Sequence, residues 1–209
     1  MSILPFRLHA RMGNSLANGP SQRAVIWFQG CKQACVGCFN PDTHDPSLGE
    51  AWTVEACLDW LEHLEGIEGV TLQGGEPLEQ PDALAALICG LKARTTLGII
   101  LLTGWTLTEL ATLPGSISYR TGSPSLPLWL QDVDLLLAGP YVEDLHLGTG
   151  LRGSSNKEVL FHSARYGPED LNGIPDSEVF IGRNGELLLT GIAGKLGEMS
   201  ENTRGRMEC

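Results

Sequence analysis

Hydrophobic and polar positions along this chain follow two alternating patterns. Short continuous apolar runs, typical of strands buried on both faces, are separated by stretches with apolar residues every three or four positions, typical of amphipathic helices. Apolar runs predict strands at residues 24–28, 97–103 and 133–138, and we expect further short strands at residues 5–11 and 70–73. The helical stretches cover residues 53–64, residues 81–93 and a segment from 106. This alternation predicts an α/β fold with a mostly parallel sheet.

The pattern changes near residue 158. Short apolar runs follow at residues 159–161, 179–181 and 187–189, and Asn184-Gly185 between the last two is a strong hairpin signal. Residues 114–127 are rich in Gly, Ser and Pro and predict a loop or insertion, whereas the stretch after Gly191 predicts a loose tail. We therefore expect one domain over residues 1–162 and a short C-terminal β-rich extension over residues 163–209.

Composition restricts the function classes. The 209 residues carry 14 Lys+Arg against 25 Asp+Glu, a formal charge of -11, and no basic stripe that could neutralise phosphates. Nucleic acid is therefore disfavoured as a partner. There is no apolar run of about 18 residues and no secretory cleavage pattern near the start, so we expect a cytoplasmic protein that does not bind a membrane.

Three of the six cysteines indicate a metal site. Cys31, Cys35 and Cys38 give the spacing C-x3-C-x2-C directly after a predicted strand. Such thiolates can bind three irons of a [4Fe–4S] cluster and leave the fourth iron open. The alternative is a structural zinc site closed by His44.

The other cysteines lie apart from this loop. Cys57 and Cys89 fall on predicted helices, where we expect core roles, and Cys209 suggests none. Six cysteines placed in this way do not resemble the even framework of a small secreted domain, which favours a reducing compartment and a thiolate metal site.

A second motif follows the strand at residues 70–73. Gly74 and Gly75 lack a Cβ, so a ligand can approach the main chain closely, and Glu76 adds a carboxylate. In a parallel α/β sheet, ligands bind at the carboxyl ends of the strands. The cysteine loop also follows a strand, so we expect both motifs to face one crevice.

With these two motifs in this order, the chain resembles the radical S-adenosylmethionine (SAM) superfamily. The cysteine loop is similar to its cluster motif, and Gly74-Gly75-Glu76-Pro77 is similar to its SAM-methionine motif. Over roughly residues 18–160 the chain further resembles the activating proteins of anaerobic ribonucleoside-triphosphate reductase. The similar segments are Asn18-Gly19-Pro20-Ser21-Gln22-Arg23, residues 28–43 around the cysteines, Thr103-Gly104-Trp105-Thr106-Leu107, Ala138-Gly139-Pro140-Tyr141 and Arg152-Gly153-Ser154-Ser155-Asn156.

The resemblance implies an incomplete βα (partial TIM-like) barrel, with residues 1–162 as the radical SAM catalytic domain. It implies that Cys31, Cys35 and Cys38 hold a [4Fe–4S] cluster whose open iron is chelated by the amino and carboxylate groups of SAM. One electron from the reduced cluster then cleaves SAM to methionine and a 5′-deoxyadenosyl radical, which abstracts hydrogen from the substrate.

Cofactor-binding residues carry over position by position. The resemblance places Gly37 and Phe39 beside SAM, with the Phe39 ring on adenine, and adds Asn40 from the same loop. It places Gly74, Gly75 and Glu76 at the methionine end, and Thr103 in the crevice. No catalytic residue is assigned beyond the cluster and SAM. The chain departs from the reductase activators at two positions, because His44 replaces their usual Trp and Lys157 replaces the Gln that closes their last motif.

The implied activity is that of a glycyl-radical-enzyme activase. We expect an oxidoreductase that generates a glycyl radical on a protein partner such as anaerobic ribonucleotide reductase, with a separate reducing electron donor. One alternative is a related radical SAM enzyme that acts on a different protein, a peptide or a small molecule. The other is a non-catalytic metal-binding or electron-carrier module.

Overall fold

The computed structural model describes residues 4–118, 125–181 and 187–192. The predicted turn at Asn184-Gly185, the tail after residue 192 and Cys209 lie outside these residues. Among the helices that the structure describes, none is both long enough and apolar enough to cross a membrane.

Strands dominate the described part of the chain. In chain order they are β1 (Pro5–Ser15), β2 (Arg23–Phe28), β3 (Glu50–Thr53), β4 (Gly69–Gly74), β5 (Gly98–Leu102), β6 (Ser116–Ser118), β7 (Ser125–Pro127), β8 (Leu135–Ala138), β9 (His146–Thr149), β10 (Arg152–Ser154), β11 (Glu158–Phe161), β12 (Ser177–Ile181) and β13 (Leu187–Gly191). The α-helices are α1 (Val54–Glu62), α2 (Pro81–Arg94) and α3 (Leu107–Leu110). Short 3₁₀ helices lie at Pro41–Thr43, Pro77–Glu79, Leu128–Asp132, Glu143–Leu145 and Pro168–Leu171.

Seven strands form the central sheet in the order β11-β8-β5-β4-β2-β1-β3. The four inner strands β8, β5, β4 and β2 are parallel to one another, whereas β1, β3 and β11 pair antiparallel at the two sides. The predicted α/β fold with a mostly parallel sheet is therefore confirmed. Among the described strands, β11 and β3 form the two edges of this sheet, and its partial-barrel form stays a prediction.

Each face of the sheet buries a separate core, because side chains alternate between faces along a strand. On one face, Ile26, Leu72 and Leu101 pack with leucines of α1 and α2. On the other face, Ile100, Leu135 and Leu137 pack with Tyr166, Leu171 and Ile174. The predicted C-terminal extension therefore contributes to the sheet's second core.

A buried ionic cluster attaches this extension to the sheet. The guanidinium of Arg23 is fully buried and donates to Thr71 Oγ1 (2.9 Å), Glu68 Oε2 (2.8 Å) and Tyr166 Oη (3.1 Å). The Tyr166 hydroxyl donates in turn to Glu68 Oε2 (2.6 Å), and Arg165 Nε donates to Glu68 Oε1 (2.6 Å). Burial raises the pKa of Tyr166 to about 12. The Arg23 charge is thus paired and hydrogen-bonded, as a buried ion requires.

Local signals explain the helix boundaries. Thr53 caps α1 by accepting a hydrogen bond from the Ala56 N–H (3.1 Å), and α2 begins at Pro81, whose missing N–H costs nothing in the first turn. The predicted helix near Thr106 is only one turn long, Leu107–Leu110.

Several elements differ from the prediction. Strands β3, β9 and β10 were not predicted, and the segment at 114–127 contains the paired strands β6 and β7 instead of only a loop. Cys57 is fully buried on α1 as predicted, but the core role predicted for Cys89 is wrong, because Cys89 is exposed. Cys89 lies beside the stripe of Leu84, Leu87, Ile88 and Leu91 that α2 turns toward the sheet.

Candidate active site

The cysteine loop begins where β2 ends. Two main-chain hydrogen bonds close it, from Gly30 N–H to the Thr43 carbonyl (2.7 Å) and from Cys31 N–H to the His44 carbonyl (3.2 Å). Within the loop, Cys38 N–H donates to the Cys35 carbonyl (3.1 Å). The three thiols therefore lie in a closed loop at the carboxyl end of an inner strand.

The glycine motif follows β4, the parallel neighbour of β2, and contacts the start of the cysteine loop. Gly75 N–H donates to the Phe28 carbonyl and Glu76 N–H to the Gly30 carbonyl, both at 2.8 Å. A Cβ on Gly75 would lie 2.4 Å from the Gly30 oxygen, and one on Gly74, whose φ is +119°, would lie 2.4 Å from the Phe28 nitrogen. Both glycines are therefore required for the two motifs to meet.

Glu76 joins the ends of two strands. Its buried carboxylate accepts at Oε1 from Leu78 N–H (3.0 Å) and Thr103 Oγ1 (2.8 Å), and at Oε2 from Gly104 N–H (2.7 Å). Burial raises the pKa of Glu76, and these hydrogen bonds together with the nearby Lys157 charge act in the opposite direction. The carboxylate thus links the loop after β4 to the loop after β5.

Both motifs line one cleft of about 340 Å³, within the size range of small-molecule sites. Its walls include the three cysteines and six of the seven predicted cofactor residues: Phe39, Asn40, Gly74, Gly75, Glu76 and Thr103. The seventh, Gly37, does not line the cleft. Its φ is +72°, and a Cβ there would lie 2.5 Å from Glu143 Oε1.

An aromatic cluster forms one wall of the cleft. The Phe39 ring lies 4.9 Å from that of Tyr141 and 5.7 Å from that of His146, centroid to centroid. Gly153 of the Arg-Gly-Ser-Ser-Asn segment passes beside it, and a Cβ there would lie 3.0 Å from the Phe39 ring. Phe39 thus presents a supported aromatic surface inside the cleft.

Sequence reasoning assigned no role in the cleft to several further residues. Tyr141, Gly153 and Lys157 line it, and so does the end of the C-terminal hairpin, Leu189, Thr190, Gly191 and Ile192. The only sequence signal was that Tyr141, Gly153 and Lys157 lie in or beside segments similar to the reductase activators. For the hairpin there was none.

The hairpin is fixed beside the cleft by polar contacts. Glu178 Oε2 accepts from Ser15 Oγ (2.8 Å) and Leu16 N–H (3.0 Å). Asn18 Nδ2 donates to Thr190 Oγ1 (2.9 Å), while Asn18 Oδ1 accepts from Gln73 Nε2 (2.6 Å). Asn18 therefore connects the extension to the residue that precedes the glycine motif.

The thiols lie in a partly buried environment. Burial raises the pKa of Cys31 and Cys38, while the main-chain N–H groups of Gln33 and Asn40 lower the pKa of Cys31 and Cys38, respectively. Iron binding would favour the thiolate form, because a metal ligand must be deprotonated. Three such ligands in one cleft that Gly74 and Gly75 also line fit a cluster with an adjoining cofactor.

The zinc alternative needs His44 as the ligand that closes the site, and His44 does not line the cleft that the three cysteines share. His44 contributes its carbonyl to the loop, and its buried Nε2 has no hydrogen-bond partner among the described residues.

Comparison with known protein families identifies an iron–sulfur domain in this chain. Residues 17–160 match the family model described as a 4Fe-4S single cluster domain. The chain belongs to this family. The expected [4Fe–4S] cluster is therefore confirmed, and its three cysteine candidates lie inside the matched region.

Named relatives bear out the resemblance to radical SAM activating proteins, and with it SAM as the second cofactor. The anaerobic ribonucleoside-triphosphate reductase-activating protein of Enterobacteria phage T4 is 29% identical over 147 residues, which cover 68% of this chain and 85% of that protein. The pyruvate formate-lyase-activating enzyme of Clostridium pasteurianum is 37% identical over 87 residues, but these cover only 39% of this chain and 37% of that protein. The crystal structure of QueE from Escherichia coli aligns with a TM-score of 0.44 at 16% identity, covering 62% of this chain and 68% of that one.

Proposed function

We propose that this protein is a radical SAM oxidoreductase of the glycyl-radical-enzyme activating type. It would cleave SAM reductively and generate a glycyl radical on a protein partner, of which anaerobic ribonucleotide reductase is the first candidate. The observation that carries the proposal is the meeting of the cysteine loop and the Gly74-Gly75-Glu76 loop in one cleft, through two 2.8 Å hydrogen bonds.

Each part of the cleft has a proposed task. Cys31, Cys35 and Cys38 would hold three irons of the cluster, and the main chain of Gly74 and Gly75 would hold the methionine end of SAM. Phe39 would pack on adenine, supported by Tyr141. When bound, the reduced cluster supplies the electron that cleaves SAM. The cleft around SAM would be shaped by Asn40, Glu76 and Thr103. Gly37 has a positive φ, which favours glycine, and would let the cysteine loop adopt its conformation.

A protein substrate is supported by the names of two relatives. The phage T4 and Clostridium pasteurianum proteins are both named for activating another enzyme. We propose residues 1–162 as the catalytic domain and residues 163–209 as an extension that completes one wall of the cleft. A large partner can also exclude water from an open cleft, as radical chemistry requires.

The proposal is tested by electron paramagnetic resonance. The cluster-loaded protein, SAM and a chemical reductant are mixed anaerobically with the glycyl-radical reductase from the same organism. We expect a glycyl-radical doublet on the reductase, and its absence after substitution of the reductase's radical glycine. SAM cleavage without a doublet would favour the radical SAM alternative with another protein, peptide or small-molecule substrate. Failure to cleave SAM would favour the metal-binding or electron-carrier module.

A further inference from the structure

Lys157 places a positive charge inside the cleft. It lies between β10 and β11 and lines the same cleft as Cys35 and Glu76. Its ammonium donates to the Gly139 carbonyl (2.5 Å) and more weakly to the Thr103 carbonyl (3.5 Å), at the ends of β8 and β5. Both acceptors are neutral, so neither balances the charge.

No carboxylate of the described residues lies within salt-bridge distance of this ammonium. Glu76 and Cys35 act on it electrostatically from a longer distance. Glu76 already accepts three hydrogen bonds, from Leu78, Thr103 and Gly104. An ammonium carries three N–H donors, and among the described residues only two of them have acceptors. A partly buried cation with a remaining donor in a ligand cleft favours an anionic ligand, because a buried charge is costly unless it is paired.

We propose that Lys157 binds the α-carboxylate of SAM. This inference rests on the proposed function, in which SAM occupies the cleft beside the cysteines. A carboxylate has two oxygens with about four acceptor positions, so one oxygen can contact the open iron while the other accepts from Lys157. The reductase activators that the chain resembles have Gln at this position, which can donate a hydrogen bond to a carboxylate but carries no charge. An ion pair with the carboxylate would therefore distinguish this chain from them.

The test measures binding, not turnover. Dissociation constants are determined anaerobically on the cluster-loaded protein for SAM and for decarboxylated SAM, which lacks only the α-carboxylate. A charged hydrogen bond of this kind predicts that Lys157→Met weakens SAM binding by roughly 10- to 100-fold and leaves decarboxylated SAM nearly unaffected. Lys157→Arg should retain part of the SAM affinity. Lys92→Met is the matched control, because Lys92 is exposed on α2 and does not line the cleft.

Each outcome bears on the proposal. Selective loss of SAM affinity in Lys157→Met supports it, even if no glycyl radical forms on any partner, so it can hold when the proposed activity fails. Equal weakening of both ligands with a lower melting temperature would overturn it, since Lys157 would then only tie β5 to β8. Unchanged SAM affinity, or a wild-type protein that holds its cluster but does not bind SAM, would overturn it as well.

Discussion

Glu76→Gln is the substitution that tests most sharply how the two loops of the site are held together. The wild-type carboxylate accepts from two main-chain N–H groups through different oxygens, Leu78 at Oε1 and Gly104 at Oε2. A glutamine of the same shape has only one oxygen. Whichever way its amide is oriented, one of these N–H groups faces an NH₂ group and loses its acceptor.

The expected cost follows from that loss. A hydrogen bond to a charged group contributes about 1.5–3 kcal/mol, and a buried donor left unsatisfied loses that amount. For a chain of this size, 1 kcal/mol changes the melting temperature by about 2–4 °C, so Glu76→Gln should melt roughly 3–12 °C lower. Glu79→Gln is the control, because among the described residues the Glu79 carboxylate pairs only with the exposed Lys32, and such surface pairs contribute about 0–1 kcal/mol.

Thermal unfolding of the cluster-free protein, followed by circular dichroism under anaerobic conditions, measures this difference without interference from cofactor loss. If Glu76→Gln melted at the wild-type temperature, the carboxylate would not be the link between the loops after β4 and β5. The reasoning would also be refuted if Glu79→Gln were destabilised as strongly as Glu76→Gln.

Three further predictions concern the C-terminal extension and its attachment. Arg23→Met should lower the free energy of unfolding by roughly 2 kcal/mol or more in urea denaturation, because it removes the buried donor to Thr71 and Glu68 while Arg165 still pairs with Glu68; a loss below 1 kcal/mol would contradict this. The pKa of Tyr166 is raised from 10.0 to about 12, so its contribution to stability is complete below pH 10 and is lost as the pH rises toward 12. Tyr166→Phe should lack that component of the pH dependence, and an unchanged stability profile would count against it. Thr190→Phe should obstruct the cleft and reduce the rate of SAM cleavage on the order of tenfold or more, whereas Ile181→Phe, at an exposed position of the hairpin, should leave the rate unchanged. Equal rates in these two variants would place the hairpin outside the site.

The sequence was informative wherever a short stretch carried a complete physical signal. Strands β2 and β5 consist mostly of continuous apolar runs, so their burial could be predicted. The cysteine and glycine motifs lie directly after β2 and β4. Because parallel strands end at the same edge, the shared cleft followed. Strand β3, Glu50–Thr53, has two exposed residues and no clear alternation, so it gave no local signal.

Contacts between distant segments could not be predicted. The contact of Thr190 with Asn18 joins residues 172 positions apart, and nothing in either segment indicates the other. For Lys157, the sequence identified an unusual residue but not its place in the cleft. That place depends on the carbonyls of Thr103 and Gly139, which follow β5 and β8 and accept hydrogen bonds from Lys157. Cys89 was misplaced because helix membership alone does not fix the side of the helix, and it lies beside the apolar stripe.

The central claim is that Cys31, Cys35 and Cys38 hold the cluster that cleaves SAM. It is tested most directly by quantifying 5′-deoxyadenosine after anaerobic reconstitution with iron and sulfide and addition of dithionite and SAM. Wild-type protein should form 5′-deoxyadenosine, Cys35→Ala should form none and bind little iron, and Cys57→Ala should behave as wild type, because burial keeps the Cys57 thiol protonated with a pKa of about 12. Product from Cys35→Ala, or loss of the cluster in Cys57→Ala, would contradict the account.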